Sequence, residues 1–511
     1  MIDLRMVYKK AEEHTTLAIF GLFAFLGFLI FLQSIFSPTI VLSLLVSVAA
    51  IIISFTRPLW MVAAIAVYLP FESLVLKFSP DDAYVFARYA SEVLIYVLVL
   101  VVIGRVLSSR IQLKQTILDL PFLLFLFTLI ASAFINFVDP SIAVLGIRQI
   151  IRFMIVFFLV VHLNPSKGFV RKLTIILFAI VLFEAGLGIL QSIIGERLDV
   201  LLLPSEARAL GEITLTAGVS QFWDPGSRVF ATLGRYDRLG NFLYFFLLIA
   251  SGFLFSEKVK QNKNTLTALF LIGLPALALT YSRASWFAFI LGFLFIGIWM
   301  KRDRRVIAGF VTFLIVISTY LGVSGLTVRF ITETPSQTFA ERFYETFSYA
   351  RWRGEYYGLG RTYWFVQTPL RVIPASPIFG HGPGQYGGGA AAALHNTTVY
   401  EALTIPYGVF GTEGFIDNNW FSIWGESGTL GFGLYLWMIA ALFFYALKVY
   451  RSSKDPFIRA LALGFAACLI GISFNAFTST VLEIRTSGFY LWLYAGFVFV
   501  LHEQEKKKIK A

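Results

Sequence analysis

Apolar residues fill run after run of this sequence, and each run ends in a short charged or glycine-rich tail. A run of about 17–25 apolar residues crosses the hydrocarbon core of a bilayer as an α-helix, and a helix apolar on all sides needs lipid or a protein interior around it. The runs predict about fourteen transmembrane helices (12–14) at 17–36, 39–55, 59–76, 84–104, 118–138, 149–163, 173–194, 240–255, 265–281, 284–300, 306–324, 429–447, 459–477 and 486–501. Pro70 and Glu72 shorten the third run, and Arg152 intrudes on the sixth. A membrane barrel shows short alternating segments instead. The pattern therefore predicts an all-α polytopic membrane protein, a single transmembrane helical domain over residues 1–511.

Two stretches interrupt the runs, residues 195–239 and the longer 325–428. In the longer one Phe339, Phe343, Phe347 and Ala350 recur every three or four positions among Glu341, Arg342 and Glu345. That spacing predicts a short amphipathic helix lying on the membrane or on the bundle, as a lid element. Further on, Pro377-Ile-Phe-Gly-His-Gly-Pro-Gly-Gln-Tyr-Gly387 is dense in glycine and proline, which impose tight turns and permit close backbone approach. No Gly-Lys-Ser/Thr follows, so it is not a nucleotide-binding P-loop.

Composition agrees: 58% of the 511 residues are hydrophobic and 14% charged, against roughly 45–50% and 25% in soluble domains. A net charge of +12 would suggest nucleic acid in a soluble protein, but here the basic residues sit in tails between apolar runs, where topology accounts for them and no nucleic-acid partner is expected. With the amino terminus cytoplasmic, the clusters Arg105/Arg110/Lys114, Lys167/Arg171/Lys172, Lys258/Lys260/Lys263, Lys301/Arg302/Arg304/Arg305, Lys448/Arg451/Lys454 and Lys506 to Lys510 all fall inside. Both termini are then cytoplasmic, and 195–239, the Tyr281-Ser-Arg-Ala284 turn and 325–428 are extracytoplasmic. The first run, Leu17 to Phe36, lacks a small-residue cleavage pattern and reads as a retained span. Cys468, the single cysteine, lies inside an apolar run, so one chain holds no disulfide framework.

On this topology the basic residues outside are arginines, apart from Lys77. A guanidinium fork binds phosphate or carboxylate through two parallel bonds, so the set suggests an anionic ligand; the alternative is snorkelling and pairing with acids. Arg228, Arg235 and Arg238 close the first outer loop, with Asp237 able to neutralise one of them. Arg283 sits in a turn with almost no loop and needs a partner, structural or substrate. Arg361 precedes the glycine-rich stretch, and His381 lies between two of its glycines. His381 and His395 are the outer histidines; with no ligand cluster at metal spacing, no metal or other cofactor is expected. Asp417, Asn418 and Glu426 stand where the long loop re-enters the membrane, placed either to cap a helix or to meet substrate. Glu184, inside the seventh run, reads as a buried hydrogen-bonded group at a close helix contact beside Gly186 and Gly188.

Together, Arg228-Val-Phe-Ala-Thr, Tyr281-Ser-Arg-Ala-Ser-Trp286, Arg361 to Trp364, Pro377-Ile-Phe-Gly-His-Gly-Pro-Gly and Asn418 to Gly431 resemble the O-antigen ligase and polymerase superfamily of bacterial membrane glycosyltransferases. The resemblance implies a multi-pass protein of the bacterial cytoplasmic (inner) membrane with an extracytoplasmic active site. It implies a donor glycan on undecaprenyl diphosphate, transferred with inversion and without metal. The acceptor is a second lipid-linked repeat or lipid A-core, and chain-length regulator and flippase partners are expected beside the membrane lipids. In ligases the arginines matching Arg228 and Arg283 bind the donor diphosphate, and a histidine opens the last motif. Here Asp417 stands in its place, which looks more like the repeat-unit polymerases.

The expected site therefore has Asp417, Arg283 and Arg228 as catalytic residues, and Arg361, His381, Arg235, Asn418 and Glu426 as substrate-binding residues. The expected reaction is polymerisation of lipid-linked repeats. Ligation to lipid A-core or a protein is the first alternative, and transport without covalent chemistry the second.

Overall fold

A computed structural model describes residues 31, 33–204, 208–211, 213–216, 228–256, 263–323, 346, 349–406 and 416–510. Most of the first expected span, Lys258 and Lys260, and Phe339, Phe343 and Phe347 of the expected lid helix lie outside the described residues.

The helices are α1 (Pro38–Thr56), α2 (Pro58–Tyr68), α3 (Glu72–Lys77), α4 (Asp81–Leu107), α5 (Asp119–Ile135), α6 (Pro140–Ile151), α7 (Met154–Leu163), α8 (Lys167–Ile194), α9 (Glu196–Leu202), α10 (Tyr236–Leu254), α11 (Lys263–Leu279), α12 (Arg283–Leu294), α13 (Arg304–Val323), α14 (Tyr349–Tyr357), α15 (Arg361–Gln367), α16 (Ile373–Ala375), α17 (Gly388–Ala393), α18 (Thr398–Ala402), α19 (Asn419–Ser452), α20 (Pro456–Asn475) and α21 (Arg485–Lys510). Their starts follow capping chemistry: Ser166, Asn418 and Asp455 each accept a backbone N–H of the first turn, and Pro140 and Pro456 take first positions where no donor is needed.

Among the described residues eight helical segments are long and apolar enough to cross a membrane, or nine if α6 and α7, bent by 55°, form one broken span. α5 and α11 are shorter apolar helices at expected positions. The chain is a multi-pass helical membrane protein. Breaks fall where the apolar runs were weakest: a 3₁₀ turn over Leu69–Phe71 contains Pro70, and the α6–α7 bend lies at Arg152. One departure from the all-helix expectation is an antiparallel hairpin of β1 (Arg208–Leu210) and β2 (Ile213–Thr216), in which Leu210 pairs with Ile213. Gly211 turns it at φ 59°, a conformation that costs glycine little.

The core is the α10–α20 pair. In these helices 83% and 78% of the apolar window is buried, against 11% in α1, which leaves α1 to face lipid. Backbones touch there: a Cβ on Gly252 would stand 2.2 Å from the Ala460 carbonyl oxygen, and one on Gly464 2.7 Å from that of Ile249. Close approach through small residues is how helices gain packing where lipid removes the hydrophobic drive. At one end of the pair Asn241 Oδ1 accepts from Ser285 Oγ (3.0 Å) and Asn475 Nδ2 (2.6 Å), tying α10, α12 and α20 together. Beyond that end, Tyr363, Trp364, Val372, Tyr386, Val399, Tyr400, Ile405 and Ile416 form a second small core. Two of its phenols are hydrogen-bonded: Tyr386 bonds Thr368 at 2.7 Å, and Tyr400 accepts the Gly387 N–H at 3.1 Å.

Candidate active site

The chain from Arg228 to Leu233 has a short 3₁₀ turn, and α8 holds it by side chains. Gln191 Oε1 accepts the N–H groups of Phe230 and Ala231 at 2.9 Å, and Glu184 accepts from Thr232 N (3.1 Å) and Oγ1 (2.5 Å). Glu184 is thus a buried anchor for this segment, the hydrogen-bonded group that its place beside Gly186 and Gly188 suggested. Anchoring fixes Arg228, whose guanidinium stacks 4.2 Å from the centre of the Tyr236 ring at the start of α10.

Arg235 precedes Tyr236 as the α10 cap residue and pairs through Nε with Asp237 at 2.8 Å. Asp237 is the main group holding its guanidinium charged, and Asp417 adds to the effect. Asp417 itself is bound by Arg361, the first residue of α15: Nε donates to Oδ2 at 2.9 Å, and Nη2 donates to the same oxygen. Burial alone would lower the pKa of Arg361, but Asp417, with Glu355, raises it on balance. Arg361 also lies within electrostatic reach of the Tyr236 hydroxyl. Four separate sequence positions, Arg228, Arg235, Arg361 and Asp417, therefore meet around Tyr236.

Arg283 opens α12 beside this cluster. Val229 N donates to the Leu279 carbonyl at 3.3 Å, and a Cβ on Gly240 of α10 would stand 2.5 Å from Ser285 Oγ and 3.3 Å from Ser282 Cβ. The Tyr281 φ of 52° makes the turn that leaves Arg283 at a helix N-terminus. A cation there opposes the helix dipole, so the helix gives no reason for it.

The two motifs of the long loop are structural complements. α19 carries a non-helical residue, Gly428 (φ 66°), and the glycine-rich stretch fills that break. Thr429 and Leu430 donate to the carbonyls of Pro377 (2.9 Å) and Ile378 (3.2 Å), while His381 and Gly382 donate to those of Gly425 (2.8 Å) and Glu426 (3.0 Å). No Cβ fits at Gly380, where it would stand 2.4 Å from the Gly428 nitrogen. Helix α5 adds Asn136 Nδ2, which donates to the Gly380 carbonyl at 2.9 Å. Glu426, buried, accepts the N–H groups of Gly384 and Tyr386 and so holds the loop by its side chain. His381 Nε2 donates to the Val372 carbonyl at 2.9 Å, and burial lowers its pKa, with that carbonyl in partial opposition. Asn418 caps α19, accepting the Phe421 N–H at 3.0 Å. The structure thus gathers Arg228, Arg235, Arg361 and Asp417, with Arg283 adjacent, and puts His381, Asn418 and Glu426 into loop and cap contacts.

A second polar feature was not assembled by sequence. A cavity of about 290 Å³ lies on the other side of the α10 start, lined by Arg88, Arg148, Arg152, Arg238 and Arg485 with Glu72 and Glu483. Its signals in the sequence were separate ones: Arg152 and Glu72 intruding on apolar runs, and Arg238 among the outer arginines.

Residues 268–436 match the family model described as O-antigen ligase. The matched stretch contains Arg283, Arg361, His381, Asp417, Asn418 and Glu426 but neither Arg228 nor Arg235, and it bears out the resemblance to the O-antigen ligase and polymerase superfamily. A search of curated proteins finds no match.

Proposed function

We propose, because residues 268–436 match the family model described as O-antigen ligase, that this chain belongs to the O-antigen ligase and polymerase superfamily and polymerises glycan repeats carried on undecaprenyl diphosphate at the outer face of the bacterial inner membrane. The side is taken from the basic clusters, which put the rim cluster, 195–239 and 325–428 opposite the cytoplasm. The loop 325–428 serves as lid and as part of the site.

The single observation that carries the reading is the convergence of three arginines and one carboxylate around Tyr236. Arg228 and Arg283 bind the donor diphosphate and stabilise the charge that grows on it as the glycosidic bond breaks; fixed cations in a low-dielectric rim are strong there. Arg361 holds Asp417 by Oδ2 alone, and among the described residues Oδ1 accepts no hydrogen bond. That oxygen takes the proton of the acceptor hydroxyl as it attacks the anomeric carbon from the face opposite the diphosphate, which gives inversion. Arg235 tunes Asp417 by charge. His381 and Glu426 shape the site by fixing the glycine-rich wall, and Asn418 by setting the start of α19.

Ligation is the second reading, favoured by the description of the matched family. Purified protein given lipid-linked repeat alone separates the two. Chain growth supports the polymerase, reaction only after lipid A-core is added supports the ligase, and movement of unaltered lipid between leaflets overturns both.

A further inference from the structure

We infer that the cavity enclosed by α4, α6, α10 and α21 is a second oxyanion subsite, which holds a phosphate or carboxylate of the acceptor while the rim cluster holds the donor diphosphate. Naming the acceptor rests on the transferase reading; the presence of the subsite does not.

Among the described residues the charges of the cavity wall do not balance. Five guanidinium groups line the cavity, those of Arg88, Arg148, Arg152, Arg238 and Arg485. Glu72 pairs with Arg485 at 2.5 Å, and Glu92, just behind the wall, takes Arg148 and, at 3.4 Å, Arg152. The remaining wall carboxylate, Glu483, accepts from Gly389 N (2.7 Å) and Gln149 Nε2 (3.1 Å) rather than from an arginine. Burial raises its pKa against those contacts and the charge of Arg152, which weakens its capacity to offset the cations. Among the described residues, and setting Arg88 aside with contacts of its own, four cations thus face at most three carboxylates, of which Glu483 pairs with no arginine.

Unused donors point the same way. Arg152 is 7% exposed, and its Nε has no hydrogen-bond partner among the described residues. Arg238 makes no hydrogen bond or ion pair among the described residues, yet it lines the cavity. A buried cation without its full set of partners is costly, and a guanidinium fork is shaped for two oxygens of one anion. The volume, about 290 Å³, is at the lower edge of the roughly 300–1,000 Å³ of sites for drug-sized ligands. It suits a phosphate or one acidic sugar ring and not an oligosaccharide.

The subsite is separate from the rim cluster but adjoins it. Arg235 and Arg238 stand three residues apart at the start of α10, one beside Asp237 and Asp417, the other in the cavity wall. All five cavity arginines also lie outside residues 268–436, so the matched family segment does not supply them.

The test uses the full chain in detergent with Arg228→Gln and Arg283→Gln together, which silences the rim. Calorimetric titration with inorganic pyrophosphate and, separately, with glucuronate is expected to show one remaining site. Adding Arg238→Gln, a change that strands no carboxylate, weakens it by about 10–100-fold, the worth of a charged hydrogen bond, and Arg238→Lys recovers part of the loss. Tighter pyrophosphate binding assigns the subsite to the diphosphate of a second lipid-linked glycan; tighter glucuronate binding assigns it to an acidic sugar. In the otherwise native enzyme Arg238→Gln raises the KM for acceptor and leaves the KM for donor unchanged. No anion binding in the rim-silenced protein, or binding indifferent to Arg238, overturns the subsite. Polymer formed by the native chain in that case leaves the transferase reading standing, whereas anion binding without any transfer separates the two the other way.

Discussion

Arg361 grips Asp417 by one oxygen only, donating from Nε to Oδ2 at 2.9 Å and from Nη2 to the same atom, with the partners 56 residues apart in sequence. Such a contact orients a carboxylate and leaves its other oxygen for chemistry. Asp417→Asn is expected to cut kcat by about 10²–10⁴, the usual worth of a general base, with the protein still folded. Arg361→Gln acts through position and costs less, and the double variant is no worse than Asp417→Asn, because residues that work as a unit are not additive. Chain growth from lipid-linked repeat measures all three. Full activity in Asp417→Asn would reduce the residue to part of the helix entry.

Arg228 and Arg283 come from different segments, one before the 3₁₀ turn and stacked on Tyr236, the other at the head of α12. Neutral replacement of either is expected to lower kcat/KM for donor by about 10²–10³, in the range found for removing one preorganised transition-state donor. Arg228→Lys restores the charge but neither the fork nor the flat stack on Tyr236, so rescue stays partial. Expression and melting temperature should match the native protein. Near-normal polymer from Arg283→Ala sinks the assignment.

How much of this was legible in sequence depended on whether the signal was local. Apolar runs gave most spans because crossing a bilayer requires a fixed length of apolar helix, and Pro70 and Arg152 marked the two broken ones. Glu184 read correctly as a hydrogen-bonded core group, since the glycines beside it signalled close packing. The glycine-rich stretch was legible as tight turns open to close backbone approach but not as the filling of a break at Gly428, a fit made by residues about fifty positions apart. The cavity arginines come from four helices, and no local pattern links Arg88 to Arg485.

His381 gives a pH test of the loop. Burial lowers its pKa below the ordinary value of about 6.5, so below that pH the unfolded chain takes up a proton that the folded loop resists. The linkage therefore keeps its contribution whole above about pH 6.5 and loses it as pH falls through the lowered folded value. Melting temperatures from pH 8 to pH 5 should fall more steeply for the native protein than for His381→Gln. Parallel curves would mean that the imidazole is not held neutral by the loop.

Gly428 is where the loop and the membrane helix are joined, and its replacement separates fold from catalysis. Its φ of 66° costs a non-glycine residue about 1–2 kcal/mol, and a Cβ would stand 2.2 Å from the Ile378 carbonyl oxygen. That carbonyl is backbone already bonded to Leu430 N, so it has no free path to retreat. Overlap of this kind adds about 1–3 kcal/mol. Gly428→Ala should therefore lower the melting temperature, and activity should be lost because the loop detaches, with both recovering together at low temperature. Asp417→Asn, by contrast, should lose activity at every temperature with its melting curve intact. A Gly428→Ala protein that melts like the native one would show that the break in α19 is not what seats the glycine-rich loop.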